Sequence, residues 1–183
     1  MYGRDYSIAL DISLSMGDSY SDMIPSKLSA SREALALLAL RVLDGRNRMA
    51  LVLFHERPIP LLPPTGDYKT FVKALSEVNF TDEGSALGDG IVEAVKMLRG
   101  SLRGKTVIAL TDGGVTGGVP VRAAALYAKY SGVKLSIVIL GGRLEGGARE
   151  DIEAAGKHGA EVYMADSRQR LQAIILGHAQ PWP

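Results

Sequence analysis

The sequence predicts a doubly wound α/β domain: a mostly parallel six-stranded sheet in the order 3-2-1-4-5-6, with strand 3 an antiparallel edge and helices on both faces. Three observations carry this expectation. Short apolar runs alternate with segments of helical spacing along the 183 residues, a pattern that places parallel strands under right-handed crossover helices. Pro58 precedes the third apolar run and Pro60 lies within it, and proline within a sheet belongs at an edge. Hydroxyls and carboxylates close the first and fourth strands, with Asp11, Ser13 and Ser15 in DISLS and Thr111 and Asp112 in TDGG. Ligands of such sheets sit at that carboxyl edge, where the strand order reverses.

The elements follow in order. Tyr6 to Asp11 (YSIALD) reads as a buried strand, and Lys27 to Leu43 as a helix whose Ala and Leu residues cover more than one face. The polar, turn-forming residues Gly17 to Ser26 link them. Arg48 to Phe54 and Ile59 to Leu62 form a hairpin, and Tyr68 to Val78 and Ser85 to Leu98 carry helical spacing on either side of a polar loop. Lys105 to Thr111 is a central strand, after which Pro120 opens a helix to Tyr130 and Lys134 to Leu140 forms the next strand. Ala148 to Ala155 is helical, Glu161 to Met164 is a last edge strand, and Ser167 caps a helix to about Leu176. The expected organisation is one domain over 1–183, with 178–183 a flexible tail.

Composition narrows the function. The chain is 46% hydrophobic and 22% charged, with a net charge of +1, which provides no general field for steering toward nucleic acid. Without cysteine there is no disulfide, thiolate metal site or cysteine nucleophile. The richest apolar stretch, Ala34 to Leu43, is interrupted by Arg41 and falls short of the ~20 residues of a membrane span. Met1 to Asp5 lead almost directly into a strand, which is not the pattern of a secretory signal. The expected location is therefore the cytoplasm, with no membrane partner. Sparse asparagine and glutamine lean toward a heat-adapted source.

Asp-x-Ser-x-Ser at a strand end, the segment Thr81-Asp82-Glu83-Gly84-Ser85-Ala86-Leu87 and the strand end Leu110-Thr111-Asp112-Gly113 occur in that order. Together with the run Lys27 to Leu35 and the strand Leu51 to Phe54, they resemble the von Willebrand factor A domain over almost the whole chain. The resemblance implies a metal-ion-dependent adhesion site of Asp11, Ser13, Ser15, Thr81 and Asp112. Ser13 and Ser15 would give hydroxyls directly to the ion, Asp11 and Asp112 would act mainly through bound water, and Thr81 would act either way. The expected ion is Mg²⁺ or Mn²⁺. Such hard cations take oxygen ligands, and Mg²⁺ sheds water reluctantly. A partner's Asp or Glu is the natural further ligand, and the family's microbial members point to an intracellular assembly, including one with a MoxR-type AAA+ ATPase.

Two departures from the family pattern bear on partner binding. Leu14 replaces a common glycine and offers an apolar contact, and Asp82 with Glu83 adds acidic charge beside Thr81. The loop Gly17 to Ser26 is also expected to shape the partner surface. No nucleophile or general base stands out, so the expectation is not an enzyme. The main alternative is a metal-assisted phosphohydrolase using Asp11 as nucleophile, although Ser13 stands where such enzymes usually need a second carboxylate. A third reading is a scaffold with an idle metal site. Gly100 to Thr106 imitates a phosphate-binding loop, but it is one residue too short and enters a strand. The chain has no Gly-x-Gly-x-x-Gly after its first strand and no Gly-x-Ser-x-Gly.

Overall fold

The computed structural model describes residues 3–81, 84–141, 144 and 146–180. Six strands form one sheet: β1 (Arg4–Asp11), β2 (Arg48–Phe54), β3 (Pro58–Thr65), β4 (Gly104–Thr111), β5 (Lys134–Leu140) and β6 (Glu161–Ala165). Their order is β3-β2-β1-β4-β5-β6. All neighbours are parallel except β2 and β3, as the alternating sequence pattern predicts. Pro58 and Pro60 pair with Phe54 and Val52 on the outermost strand, whose other side needs no donors.

The helices are α1 (Lys27–Val42), α2 (Tyr68–Ser76), α3 (Leu87–Met97), α4 (Val121–Tyr130), α5 (Gly146–Lys157) and α6 (Arg168–Gly177). Alternate side chains of each strand point to opposite faces, so two cores form. Ile8, Leu10, Ile108, Leu110 and Val138 pack with Leu35 and Leu38 of α1 and Leu171 and Ile175 of α6. On the other face Ala9, Val52, Ala109, Ile137 and Ile139 pack with Ile91 of α3, Ala124 of α4 and Ile152 of α5. Helix α1 buries Ser31, Ala34, Leu35, Leu38, Ala39 and Val42, the i, i+3, i+4 stripe of an amphipathic helix. Leu40 remains 64% exposed, so the apolar surface wraps beyond the stripe that packing uses. Ser26 caps α1 by accepting from the Ser29 amide at 3.0 Å, and Ser167 does the same for α6 through Arg170.

The predicted helix start at Ser85 moves to Leu87, because Ser85 turns its hydroxyl to Asp11 instead of entering α3. Residues 178–180 continue from α6. Tyr6 donates its hydroxyl to the His178 carbonyl at 3.1 Å, and Arg4 donates to that of Gln180 at 2.9 Å. Residues 181–183 lie outside the described residues.

His178 follows α6 and meets the Tyr163 ring edge-on, with centroids 6.3 Å apart. Its Nε2 is buried and finds no hydrogen-bond partner among the described residues. Burial lowers its pKa from 6.5 to about 4, against the pull of Glu161 and alongside the push of Lys134. The unfolded chain therefore binds this proton more readily than the folded one. Its contribution to stability is complete above pH 6.5 and is lost as pH falls toward 4, by up to about 3 kcal/mol. Urea unfolding of His178→Phe should therefore lack that part of the wild-type loss between pH 6.5 and 4; an identical pH profile would show that His178 is not responsible.

Candidate metal centre

The site begins where β1 and β4 end side by side. Leu10 is level with Leu110, so Asp11 and Thr111 close neighbouring strands at the switch point between β1 and β4. Beyond Asp11 the Ile12 amide still bonds the Phe54 carbonyl of β2 at 2.9 Å. The Ile12 carbonyl accepts from the Thr81 amide at 2.8 Å, fixing the Thr81 segment beside the motif. The chain then tightens into a 3-10 turn, Leu14–Gly17, closed by the Met16 amide on the Ser13 carbonyl at 2.9 Å. Met16 is fully buried and anchors the turn. Ser13 and Ser15 thus share one side of it, with hydroxyl oxygens 3.4 Å apart.

Asp11 is fully buried, and both its oxygens have partners. One accepts from the Ser13 amide at 2.8 Å. The other accepts from the Ser85 hydroxyl at 2.9 Å and the Thr111 hydroxyl at 2.7 Å. Burial raises its pKa, outweighing the hydrogen bonds from Ser13, Thr111 and Ser85. The family resemblance implies that Asp11 would act on an ion mainly through bound water.

Asp112 differs. Its Oδ2 accepts from Lys27 Nζ at 2.8 Å and its Oδ1 from the Gly114 amide at 3.3 Å. Burial pushes its pKa up, but the bond from Lys27, the influence of the Ser15 hydroxyl and the ammonium charge prevail and hold it below the ordinary carboxylate range. Gly113 makes the turn possible. Its φ of +89° is in the left-handed region, and a Cβ there would lie 2.4 Å from Leu144.

Five of the eight residues singled out from sequence therefore gather at one edge: Asp11, Ser13, Ser15 and Asp112 directly, and Thr81 through its backbone bond to Ile12. Leu14 is 49% exposed on the same turn. Asp82 and Glu83 lie outside the described residues. Three further side chains shape the site, of which the sequence singled out only Thr111, as a strand-end hydroxyl. Ser85 and Thr111 orient Asp11, and Lys27 pairs with Asp112. All three lie within segments that carry the family resemblance, but the pairing of Lys27 with Asp112 has no local signal, because only the approach of α1 brings it to the end of β4.

The donor chemistry fits a hard divalent cation: neutral hydroxyls from Ser13, Ser15 and Thr81 with carboxylates from Asp11 and Asp112. The 3.4 Å between the serine oxygens is near the ~2.9 Å that separates adjacent ligands on an octahedron with bonds of about 2.0 to 2.1 Å. Among the described residues, no group of three His, Asp or Glu side chains stands where it could hold a metal. The candidate centre thus depends on hydroxyls to complete its donor set.

A doubly wound sheet with this hydroxyl and carboxylate edge defines a von Willebrand factor type A domain, a fold that commonly mediates metal-dependent protein interactions. The family model, described as von Willebrand factor type A domain, matches residues 7–115, and the chain belongs to that family. It is 27% identical over 186 residues to a UPF0353 protein of Mycolicibacterium paratuberculosis, covering 94% of this chain and 54% of that protein. The chain thus spans about half the length of that curated relative. Among solved structures it is similar to the conserved hypothetical protein BatB from Bacteroides thetaiotaomicron, at 25% identity and a TM-score of 0.76, covering 93% of this chain and 95% of that one. It also shares its fold with proximal thread matrix protein 1 of the mussel byssus, solved with a zinc-occupied MIDAS motif. There the identity is 20% and the TM-score 0.80, over 97% of this chain and 45% of that one.

Proposed function

We propose that this domain is a divalent-metal-dependent protein-interaction module that takes an Asp or Glu side chain of a partner at the edge formed by β1 and β4. The observation that carries the reading is the division of labour between the two aspartates. Asp11 is committed to Ser13, Ser85 and Thr111, whereas Asp112 is held by Lys27 and the Gly114 amide, partners that would yield to an ion taken up beside the paired serine hydroxyls. When bound, Mg²⁺ or Mn²⁺ supplies an electrophilic centre for an incoming carboxylate.

Ser13, Ser15, Thr81 and Asp112 would hold the ion, and Asp11 would keep Ser13 in position. Leu14, exposed beside them, supplies apolar contact to the partner. Asp82 and Glu83 add acidic charge next to Thr81, which favours the cation and disfavours a highly acidic partner. The same burial of Asp11 weighs against the phosphohydrolase reading. A nucleophile must reach its substrate, whereas this carboxylate is inaccessible and bonded on both oxygens. The domain is accordingly proposed to be non-catalytic.

Its setting is proposed to be a cytoplasmic assembly, with a MoxR-type AAA+ ATPase as the partner class. Among the described residues no helix is long and apolar enough to cross a membrane. Affinity capture from the source organism should recover a partner in Mg²⁺ and lose it in EDTA, with Asp112→Ala losing it in both. Capture that survives EDTA would replace this reading with that of a metal-independent scaffold.

A further inference from the structure

Lys27 is the first residue of α1, and its position is fixed from both directions. Its amide donates to the Asp18 carbonyl at 2.9 Å, and its carbonyl accepts from the Ser31 hydroxyl at 2.9 Å. The side chain lies over the candidate centre, Nζ 2.8 Å from Asp112, with the lysine side chain 12% and the aspartate side chain 8% exposed. Water screens such a pair weakly. A cation in the first turn also opposes the helix dipole, and α1 has no acidic residue there to offset it. Helix formation thus gives no reason for a lysine at this point, whereas Asp112 does.

Asp112 follows the end of β4, beside the end of β1, and the turn after β1 carries the two serine oxygens of the candidate donor set. A divalent ion using these oxygens meets a positive charge already bound to one of its carboxylates, and like charges at this range in a poorly hydrated site repel strongly. We propose that Lys27 is a built-in competitor for Asp112: it neutralises the carboxylate in the metal-free domain and holds divalent affinity low, so that firm retention of the ion needs the charge of a partner's carboxylate. This rests on the metal-dependent reading above. The consequence is coupling between metal and partner. Each binds better with the other present, as reciprocal linkage requires.

The test is Mn²⁺ titration of the wild type and of Lys27→Met, Lys27→Gln and Lys27→Arg, with free Mn²⁺ read by its paramagnetic resonance signal. The two neutral variants should bind at least about tenfold more tightly than the wild type, equivalent to about 1.4 kcal/mol, and Lys27→Arg should stay near it. Metal-free Lys27→Met should melt lower than the wild type, because Asp112 is left buried without its counter-ion, and should gain more from Mn²⁺. Lys27→Gln can still hydrogen-bond Asp112, so it carries the test if Lys27→Met does not fold. Equal or weaker Mn²⁺ binding by the neutral variants would overturn the competitor role and leave the metal-dependent reading intact. Absence of Mn²⁺ binding in the wild type and all three variants would overturn both.

Discussion

Asp11→Asn is expected to weaken divalent-metal binding at least 100-fold while leaving the metal-free protein as stable as the wild type or more so. The two effects have one cause. Asp11 is a fully buried carboxylate at the end of a central strand, and burial raises its pKa despite the hydrogen bonds from Ser13, Thr111 and Ser85. The folded chain therefore holds its proton more tightly than the unfolded one. Ionisation costs stability as pH rises from the unfolded to the raised folded pKa, and the cost persists above both. Asparagine removes that cost and keeps one oxygen for the Ser13 amide. It cannot accept from both Ser85 and Thr111 through its nitrogen, and this offsets part of the gain. The negative charge that a cation needs is gone. Calorimetric Mn²⁺ titration and thermal melts check the two halves, and a large drop in metal-free stability would show that the charge is held for folding instead of for an ion. A site that sacrifices stability for binding is expected where function is under selection.

Gly88→Ala should cost about 3 kcal/mol, at the upper end of what one added methyl costs in a well-packed site. Gly88 sits in the first turn of α3 and is buried. A Cβ there would stand 1.8 Å from the Val119 carbonyl oxygen and 2.8 Å from its carbon. Those are backbone atoms, so no rotamer change relieves the clash. The loop carrying Val119 would have to move away from α3, and that loop also holds the site. The Ser85 amide donates to the Thr116 hydroxyl at 2.8 Å, and the Thr116 amide to the Ser85 carbonyl at 2.9 Å. The variant should consequently show weaker Mn²⁺ binding as well as a lower urea midpoint. A loss of less than about 0.5 kcal/mol, the range of an inconsequential surface change, would contradict the close approach of α3 to this loop.

The sheet was legible because its signals are local. Alternating apolar runs give strands and crossovers, and Pro58 and Pro60 mark the edge; the order β3-β2-β1-β4-β5-β6 is one of the arrangements such a doubly wound pattern takes. The adjacency of Asp11 and Asp112 follows from that order, since each ends a strand at the switch point. What stayed hidden depends on how helices lie against the sheet. Ser85 looks like the first residue of a helix, but its hydroxyl is taken by Asp11 74 positions away. Lys27 looks like an ordinary residue of a helix start, and its pairing with Asp112 spans 85 positions. The burial of His178 likewise comes from Tyr163 and the end of α6, not from any pattern around it.

The most direct measurement is a nuclear magnetic resonance titration of the isotope-labelled protein with Mn²⁺, whose unpaired electrons broaden nearby amide signals. One site per chain is expected. Signals of Asp11 to Ser15, Thr81 and Asp112 to Gly114 should broaden first, Asp11→Asn should abolish the effect, and residues at the opposite edge such as Asp5 and Asp44 should remain sharp. Broadening centred on that opposite edge, or none at the β1 and β4 ends, would contradict the assignment of this site as a metal-dependent clasp.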